Sequence, residues 1–435
     1  MQVSVEKTSE LSRKMTVSVP EEVVQEKMEE RLKSLAKNVK LDGFRPGKVP
    51  VRVVKKMYGD RVRGEVAGDI IQTTYYEALQ QKELIPAGQP HIHPPKDDGE
   101  FIYTAEFEIY PDVSLTGIEQ IEITKPVAEV TDKDLDNMIE KLREQRKEWQ
   151  EVEREAQQKD QVTINFSGVS EAENFTNGKV EDFQVEIGAK QMIPGFEDNL
   201  VGLKAGEKKT FTVTFPEEYG NEKLAGKDAE FEIEVIKVEE PVIPEVNEEF
   251  IKDFGIESGK MEDFRSDVKE NMERELGQAV KAKVKNAVMD GLLEKIQVGL
   301  PNALVDQEID NLLKPYQEQA KRQNTKFEDL NLPRENFKEQ AEKRVALGLI
   351  LAEIIKKNEI KADAKKVRSV IDDMAKSYDQ PEEVVNWYYG DKSRLTEVEQ
   401  MVLEDEAVAW VVDQIKVSDE PAGFDELINT EKKEG

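Results

Sequence analysis

Cysteine does not occur in this chain, which rules out disulfides, thiolate metal sites and thiol catalysis together. Histidine is nearly as scarce: His91 and His93 are the only imidazoles, so a histidine-based triad has little to build on. On extended backbone the pair, flanking Ile92, would point the same way, as two metal ligands do. Pro90, Pro94 and Pro95 surround them and no third ligand is suggested by spacing, so turn residues ahead of a strand is the reading adopted. No apolar run approaches the length of a membrane span. The opening Met1-Gln2-Val3-Ser4-Val5-Glu6-Lys7 lacks the basic patch and apolar run of a secretory signal, so the cytoplasm is the expected compartment. No Gly-x-x-x-x-Gly-Lys-Ser/Thr run occurs, and no nucleotide or other cofactor is expected.

What is present is charge, unevenly spread. The chain carries a net −30, yet between Arg31 and Arg63 eleven basic residues face two acidic ones, Asp42 and Asp60. That island of +9 leaves −39 for the rest, a polarity that steers one end of the molecule toward a polyanion and keeps the remainder away. With 92 carboxylates, no pair stands out as a general acid and base. A length of 435 residues with 38% hydrophobic and 35% charged residues predicts two to four domains with long solvated helices, in an extended, multi-lobed shape.

The first stretch mixes strand and helix periods. Val3 and Val5, then Met15, Val17 and Val19, alternate as two short strands. Ser18 and Glu21 have the spacing of a capping box, with Pro20 in the first turn, for a helix striped by Val24, Met28, Leu32, Leu35 and Val39. Pro50 is expected to begin a short helix reaching Met57 and ended by Gly59, and a third helix is expected over 61–84. Phe101, Tyr103, Ala105, Phe107 and Ile109 close an α+β head, residues 1–112. A connector, 113–150, follows, with extended Ile121-Glu122-Ile123 and a charged helix capped by Thr131 and Asp134, lying over the C-terminal body. Residues 151–245 alternate in short runs, as in Val162-Thr163-Ile164-Asn165-Phe166 and Phe211-Thr212-Val213-Thr214-Phe215, and predict an antiparallel β domain. From 246 the period is helical, with helices expected over 261–296, 301–321 (kinked at Pro315), 333–357, 363–377 and 397–415. A polar tail from Val417 is expected to be poorly ordered.

Two motifs carry function. In Gly43-Phe44-Arg45-Pro46-Gly47-Lys48-Val49-Pro50 an aromatic stands between glycines beside a guanidinium, the pairing that docks onto RNA or a protein–RNA surface. This segment resembles the ribosome-docking signature of bacterial trigger factor, Gly-Phe-Arg-x-Gly-Lys-x-Pro, with Pro46 where the family often has Lys. The order of domains, α+β head, β-rich middle and all-α C-terminal body, resembles that family over essentially the whole chain. The resemblance implies docking through Gly43, Phe44, Arg45, Pro46, Gly47 and Lys48.

The second motif is Met192-Ile193-Pro194-Gly195-Phe196-Glu197-Asp198, followed by Gly202-Leu203-Lys204-Ala205-Gly206-Glu207 and Phe215-Pro216-Glu217-Glu218-Tyr219-Gly220. It resembles the FKBP-type peptidyl-prolyl isomerase domain. The resemblance implies a pocket with Phe166 as its first aromatic, Phe175 and Phe183 at its sides, Met192 and Ile193 at its mouth, Phe196 as floor, Tyr219 as hydroxyl-bearing rim and Phe231 as back wall. Thr176 stands where many macrolide-binding members have Asp, and Asn221 to Gly226 replaces their His- and Ile-containing loop, so tight macrolide binding is not expected. From the residues alone, the same phenylalanines also fit a plain β-domain core.

Together these resemblances imply an ATP-independent chaperone at the ribosomal exit tunnel that isomerises X–Pro bonds and assists export. Implied partners are the large ribosomal subunit, protein and rRNA, and nascent and unfolded polypeptides, with no membrane and with a homodimer off the ribosome left open. The rival readings are a polypeptide-holding chaperone with an inactive isomerase-like domain, and a binder of free RNA. In the helical body the candidate apolar faces are Leu347, Leu349, Ile350, Leu351, Ile354 and Ile355, then Val384, Trp387, Tyr388 and Tyr389, most of them core by composition.

Overall fold

The structure, a computed structural model, describes every residue except 42, 43, 45–47, 96–100, 171, 172, 177, 222, 223, 324, 331, 377, 379 and 429–435. Along the chain run β1 (Gln2–Lys7), β2 (Ser12–Val19), α1 (Glu21–Asn38), α2 (Val51–Gln81), β3 (His91–His93), β4 (Phe101–Glu108) and β5 (Glu122–Val127). Next come α3 (Asp132–Gln145), β6 (Glu148–Glu151), β7 (Gln161–Ser170), β8 (Glu173–Asn174), β9 (Val180–Glu186), β10 (Lys208–Thr214) and β11 (Asp228–Val242). The last segments are α4 (Glu248–Lys252), α5 (Met261–Lys295), α6 (Asn302–Arg322), α7 (Lys338–Lys357), α8 (Ala364–Ala375), α9 (Pro381–Tyr389), α10 (Lys392–Gln414) and β12 (Lys416–Pro421). They divide into two compact units, Met1–Pro126 with Ala282–Glu420, and Val127–Lys281 with Pro421–Gly435.

In the first unit an antiparallel sheet of order β1-β2-β4-β3 offers alternate residues, Met15, Val17, Val19, Tyr103 and Phe107, to the apolar stripes of α1 and α2. Two details differ from the sequence expectation. Ser18 is spent on the β2 ladder and Pro20 becomes the N-cap of α1 with no side-chain cap bond, so the capping box does not form. Gly59 does not end a helix: α2 is continuous, because Val54, Val62, Val66 and Ile70 stay on one buried face and the packing outweighs about 1 kcal/mol of glycine propensity. His91 and His93 form an edge strand rather than a turn, their rings 4.6 Å apart and His93 3.7 Å from Glu106. Among the described residues no group of three His, Cys, Asp or Glu could hold a metal.

The helical part of this unit has its own cores. Ile118, Ile121 and Ile123 lie with Leu292, Ile350, Ile354, Val408 and Val411, while Val305, Ile309 and Leu313 of α6 pack with Ala341 of α7. Pro315 sits inside α6, which continues to Arg322. A short helix at α9, not anticipated from sequence, packs Val385 beside Val367 and Ile371 of α8 and Val398 and Val402 of α10.

The second unit holds an antiparallel sheet of order β10-β11-β7-β8, with β6 on β11 and β9 on β7. In α3 the capping box does form: Thr131 Oγ1 accepts from Asp134 N–H, and Thr131 N–H donates to the Asp134 carboxylate. The tail expected to be poorly ordered is folded over its described residues, 417–428. Its β12 pairs with β5 in the first unit, and in the second Phe424, Leu427 and Ile428 are buried among Leu135, Ile139 and Phe264, an apolar triplet that the polar average of the segment conceals.

Candidate functional site

Strand period and register assemble an aromatic bowl in the second unit. On β7 Phe166 and Gly168 share a face, and in register Phe211 of β10 lies opposite Phe231 of β11, which lies opposite Gly168. Phe196 follows the turn at Gly195, whose φ of +85° is left-handed backbone that glycine adopts without strain. Its ring is fully buried and packs at 5.0 Å from Phe231, 6.0 Å from Phe166 and 5.4 Å from Phe211. Phe183 of β9 stands 5.5 Å from Phe166, and Phe175 stands 5.6 Å from both Phe231 and Phe215. Phe215 in turn lies 4.6 Å from Tyr219. These separations, most of them tilted or edge-to-face, are those aromatic quadrupoles favour.

Burial grades from floor to rim. Phe196, Phe231 and Phe166 are 0%, 3% and 8% exposed, whereas Phe183 and Tyr219 are 38% and 40% exposed; Met192, Ile193 and Phe175 fall between. The aromatics are therefore core at one end and an open surface at the other. All eight residues expected from sequence fall in this one domain, and ring contacts join five of the six aromatics directly and Tyr219 through Phe215. Phe211 and Phe215 were missed as members, although their alternation across Val213 signalled a shared face.

Glu197 was missed too. Its buried carboxylate accepts four backbone N–H bonds, from Gly188 (2.8 Å) and Lys190 (3.1 Å) on Oε2 and from Gln191 (2.8 Å) and Met192 (3.1 Å) on Oε1. Burial pushes this carboxyl up, but the four N–H donors outweigh it and hold it below the usual 4.5. The loop that carries Met192 is thus tied to the residue that follows Phe196.

The basic island lies on α1, α2 and the segment between them. Phe44 is 40% exposed, with its N–H bonded to Leu41 O at 3.1 Å. Gly43, Arg45, Pro46 and Gly47 lie outside the described residues. Arg31 and Arg61 both pair with Glu65, which they hold below the usual carboxylate range, while Lys48, Arg52, Lys55 and Lys56 are exposed with no ion pair among the described residues. A third feature lies in the first unit: Met374, Tyr378, Glu383, Val384, Trp387 and Tyr388 line an open cleft of about 670 Å³. Trp387 is 53% exposed and carries the Arg394 guanidinium over its ring at 3.8 Å. Ile350, Leu351 and Ile354, by contrast, are buried core.

An α+β head, a β domain with a graded aromatic cluster and an all-α body define a multi-domain protein with an FKBP-like central sheet. Family models agree in each part: "Bacterial trigger factor protein (TF)" matches residues 1–142, "FKBP-type peptidyl-prolyl cis-trans isomerase" residues 152–236 and "Bacterial trigger factor protein (TF) C-terminus" residues 260–413. The chain is 47% identical over 431 residues to a trigger factor of Stutzerimonas stutzeri, covering 98% of each, and 46% identical over 435 residues to that of Colwellia psychrerythraea, covering 100% of each. It belongs to the trigger factor family of chaperones. A solved structure described as "Promiscuous Substrate Recognition in Folding and Assembly Activities of the Trigger Factor Chaperone" shares the fold, with a TM-score of 0.53 at 18% identity over 95% of this chain and 99% of that one. No helix among the described residues is long and apolar enough to cross a membrane.

Proposed function

We propose that this chain is a cytoplasmic, ATP-independent chaperone that docks on the large ribosomal subunit near the exit tunnel through its basic head, holds unfolded polypeptide, and isomerises X–Pro bonds in its bowl. The working division is a head over 1–112, a connector over 113–150, an isomerase domain over 151–245 and a helical body from 246. The observation that carries the isomerase reading is the burial gradient across one aromatic cluster, with Phe196 fully enclosed and Phe183 and Tyr219 open to a substrate. Twisting an X–Pro bond loses amide resonance, a barrier of about 18–20 kcal/mol for peptide bonds in general. The twisted amide is less charge-separated than the planar one, so an apolar, water-poor bowl favours it, and shape selects it. No nucleophile is needed. In this reading Phe166, Phe196 and Phe231 form the desolvating floor and wall, Phe175 and Phe183 the sides, Met192 and Ile193 the mouth, and the Tyr219 hydroxyl a hydrogen-bonding group at the rim.

Holding is assigned to the cleft of α8 and α9, where Tyr378 and Trp387, 60% and 53% exposed, offer apolar area to side chains that a folded protein would bury. Docking is assigned to exposed Phe44 with Arg45, flanked by Lys48, Arg52, Lys55 and Lys56.

Tyr219→Ala and Phe183→Ala test catalysis without emptying the core. Each is expected to slow proline-limited refolding of a test protein toward the uncatalysed rate with the unfolding midpoint unchanged; refolding as fast as with the intact chain would refute the isomerase assignment. Replacing Phe44, Arg45 and Pro46 by Ala is expected to abolish co-sedimentation with ribosomes and to spare isomerase activity. Unaltered co-sedimentation would refute the docking assignment.

A further inference from the structure

Gly168 has no side chain to contribute, yet it lies on the bowl's face of β7, two residues from Phe166 and opposite Phe231. Its φ lies outside the left-handed region, so no conformational demand calls for glycine here. Space does: a Cβ built on Gly168 would meet Phe175 Cζ at 2.3 Å, with Cε1 at 2.8 Å and Cε2 at 2.9 Å. The far edge of the Phe175 ring therefore rests on bare backbone, at a separation no other residue permits.

The strand cannot retreat to make that room. Gly168 N–H donates to Thr176 Oγ1 at 3.2 Å, and Gly168 O accepts from Phe175 N–H at 3.2 Å, so both of its polar groups grip the segment that carries the ring. Thr176 Oγ1 also donates to Gly178 O at 2.6 Å. On its other side Gly168 is paired with Phe231 across the β7–β11 ladder. Added bulk must be absorbed by the Phe175 ring, which is itself held edge-on by Phe231 and Phe215, the latter in contact with Tyr219 at the rim.

We propose that Gly168 is a positioning residue for prolyl isomerisation: by letting the far edge of the Phe175 ring rest against the strand it sets the width of the bowl between Phe231 and the Phe215–Tyr219 edge, and so the size of side chain accepted next to the proline. This rests on the isomerase reading above. A methyl group at 168 pushes the ring inward, and the effect falls on bulky substrates more than on small ones.

The test compares the intact chain, Gly168→Ala, Phe175→Leu and the double variant on short peptides with Ala or Phe before proline. Gly168→Ala is expected to lower kcat/KM for the Phe-Pro peptide about tenfold more than for the Ala-Pro peptide, a misplacement effect of ordinary size. Phe175→Leu, which removes the Cζ edge, is expected to restore most of the lost Phe-Pro activity in the Gly168→Ala background. Equal losses on both peptides, as from a smaller folded fraction, or a double variant no better than Gly168→Ala, would overturn the proposal. Contacts from the Phe175 ring to Phe215 and Phe231 in NMR spectra of the full chain give a readout independent of catalysis. They should be lost or weakened in Gly168→Ala, and their survival would overturn the proposal. An intact chain with no catalysis on either peptide would defeat the isomerase reading, leaving the steric claim to be decided by those contacts.

Discussion

The bowl of the second unit and the cleft of the first both display aromatic surface, but they are built by opposite rules. In the bowl each ring is fixed by others: Phe196 touches Phe166, Phe211 and Phe231, and Glu197 binds four amides of the loop beside it. In the cleft Trp387 projects from α9 and Tyr378 from the segment before it, and Trp387's described ring contacts are Arg394 at 3.8 Å and Tyr388 at 5.0 Å. A site that must stabilise one twisted amide needs preorganisation, whereas a surface that must accept many sequences needs adaptable area.

That contrast can be broken by substitution. The largest effect is expected at Phe196: Phe196→Ala empties a fully buried position and should cost about 3–5 kcal/mol in denaturant unfolding of the bowl's domain, with isomerase activity lost. Glu197→Gln comes next. Each carboxylate oxygen serves two N–H donors, and an amide NH₂ replaces acceptance by a donor on one side, so two N–H groups lose their partner at a cost of about 1–3 kcal/mol. Amide exchange over residues 188–192 should speed up accordingly.

Acid should act at the same point in the intact chain. Because the folded pKa of Glu197 is depressed below 4.5, its stabilisation is fully present above that value and is lost as pH falls through the lower folded value. Loop amides that stay protected above pH 4.5 should lose that protection as the pH falls below it in the intact chain, while Glu197→Gln shows no such step. The smallest stability effect is expected in the cleft: Trp387→Ala, at a 53% exposed position, should shift unfolding by no more than about 0.5 kcal/mol beyond the loss of its Arg394 contact, yet reduce capture of unfolded protein.

Much of this architecture was legible because local period and burial agree. The alternations on β2, β4, β7 and β10 and the Thr131 cap read directly into structure. Reading failed where tertiary packing overrode a local signal, as at Gly59 inside α2, or where a segment's average hid its anchors, as with Phe424, Leu427 and Ile428. In the bowl, the aromatics were visible through family resemblance. Glu197 was hidden among 92 carboxylates, since nothing local distinguishes one whose partners are the amides of its own preceding loop. Gly168 was invisible for a related reason: the ring that needs its missing side chain is brought there by pairing, not by sequence proximity alone.

The division of labour between bowl and cleft is tested most directly by measuring isomerisation of a short prolyl peptide and of an unfolded protein with the intact chain and with Trp387→Ala. The account predicts that the intact chain catalyses both and that Trp387→Ala keeps the peptide rate while raising KM for the unfolded protein. No catalysis of the peptide by the intact chain, or an equal loss on both substrates in Trp387→Ala, would contradict it.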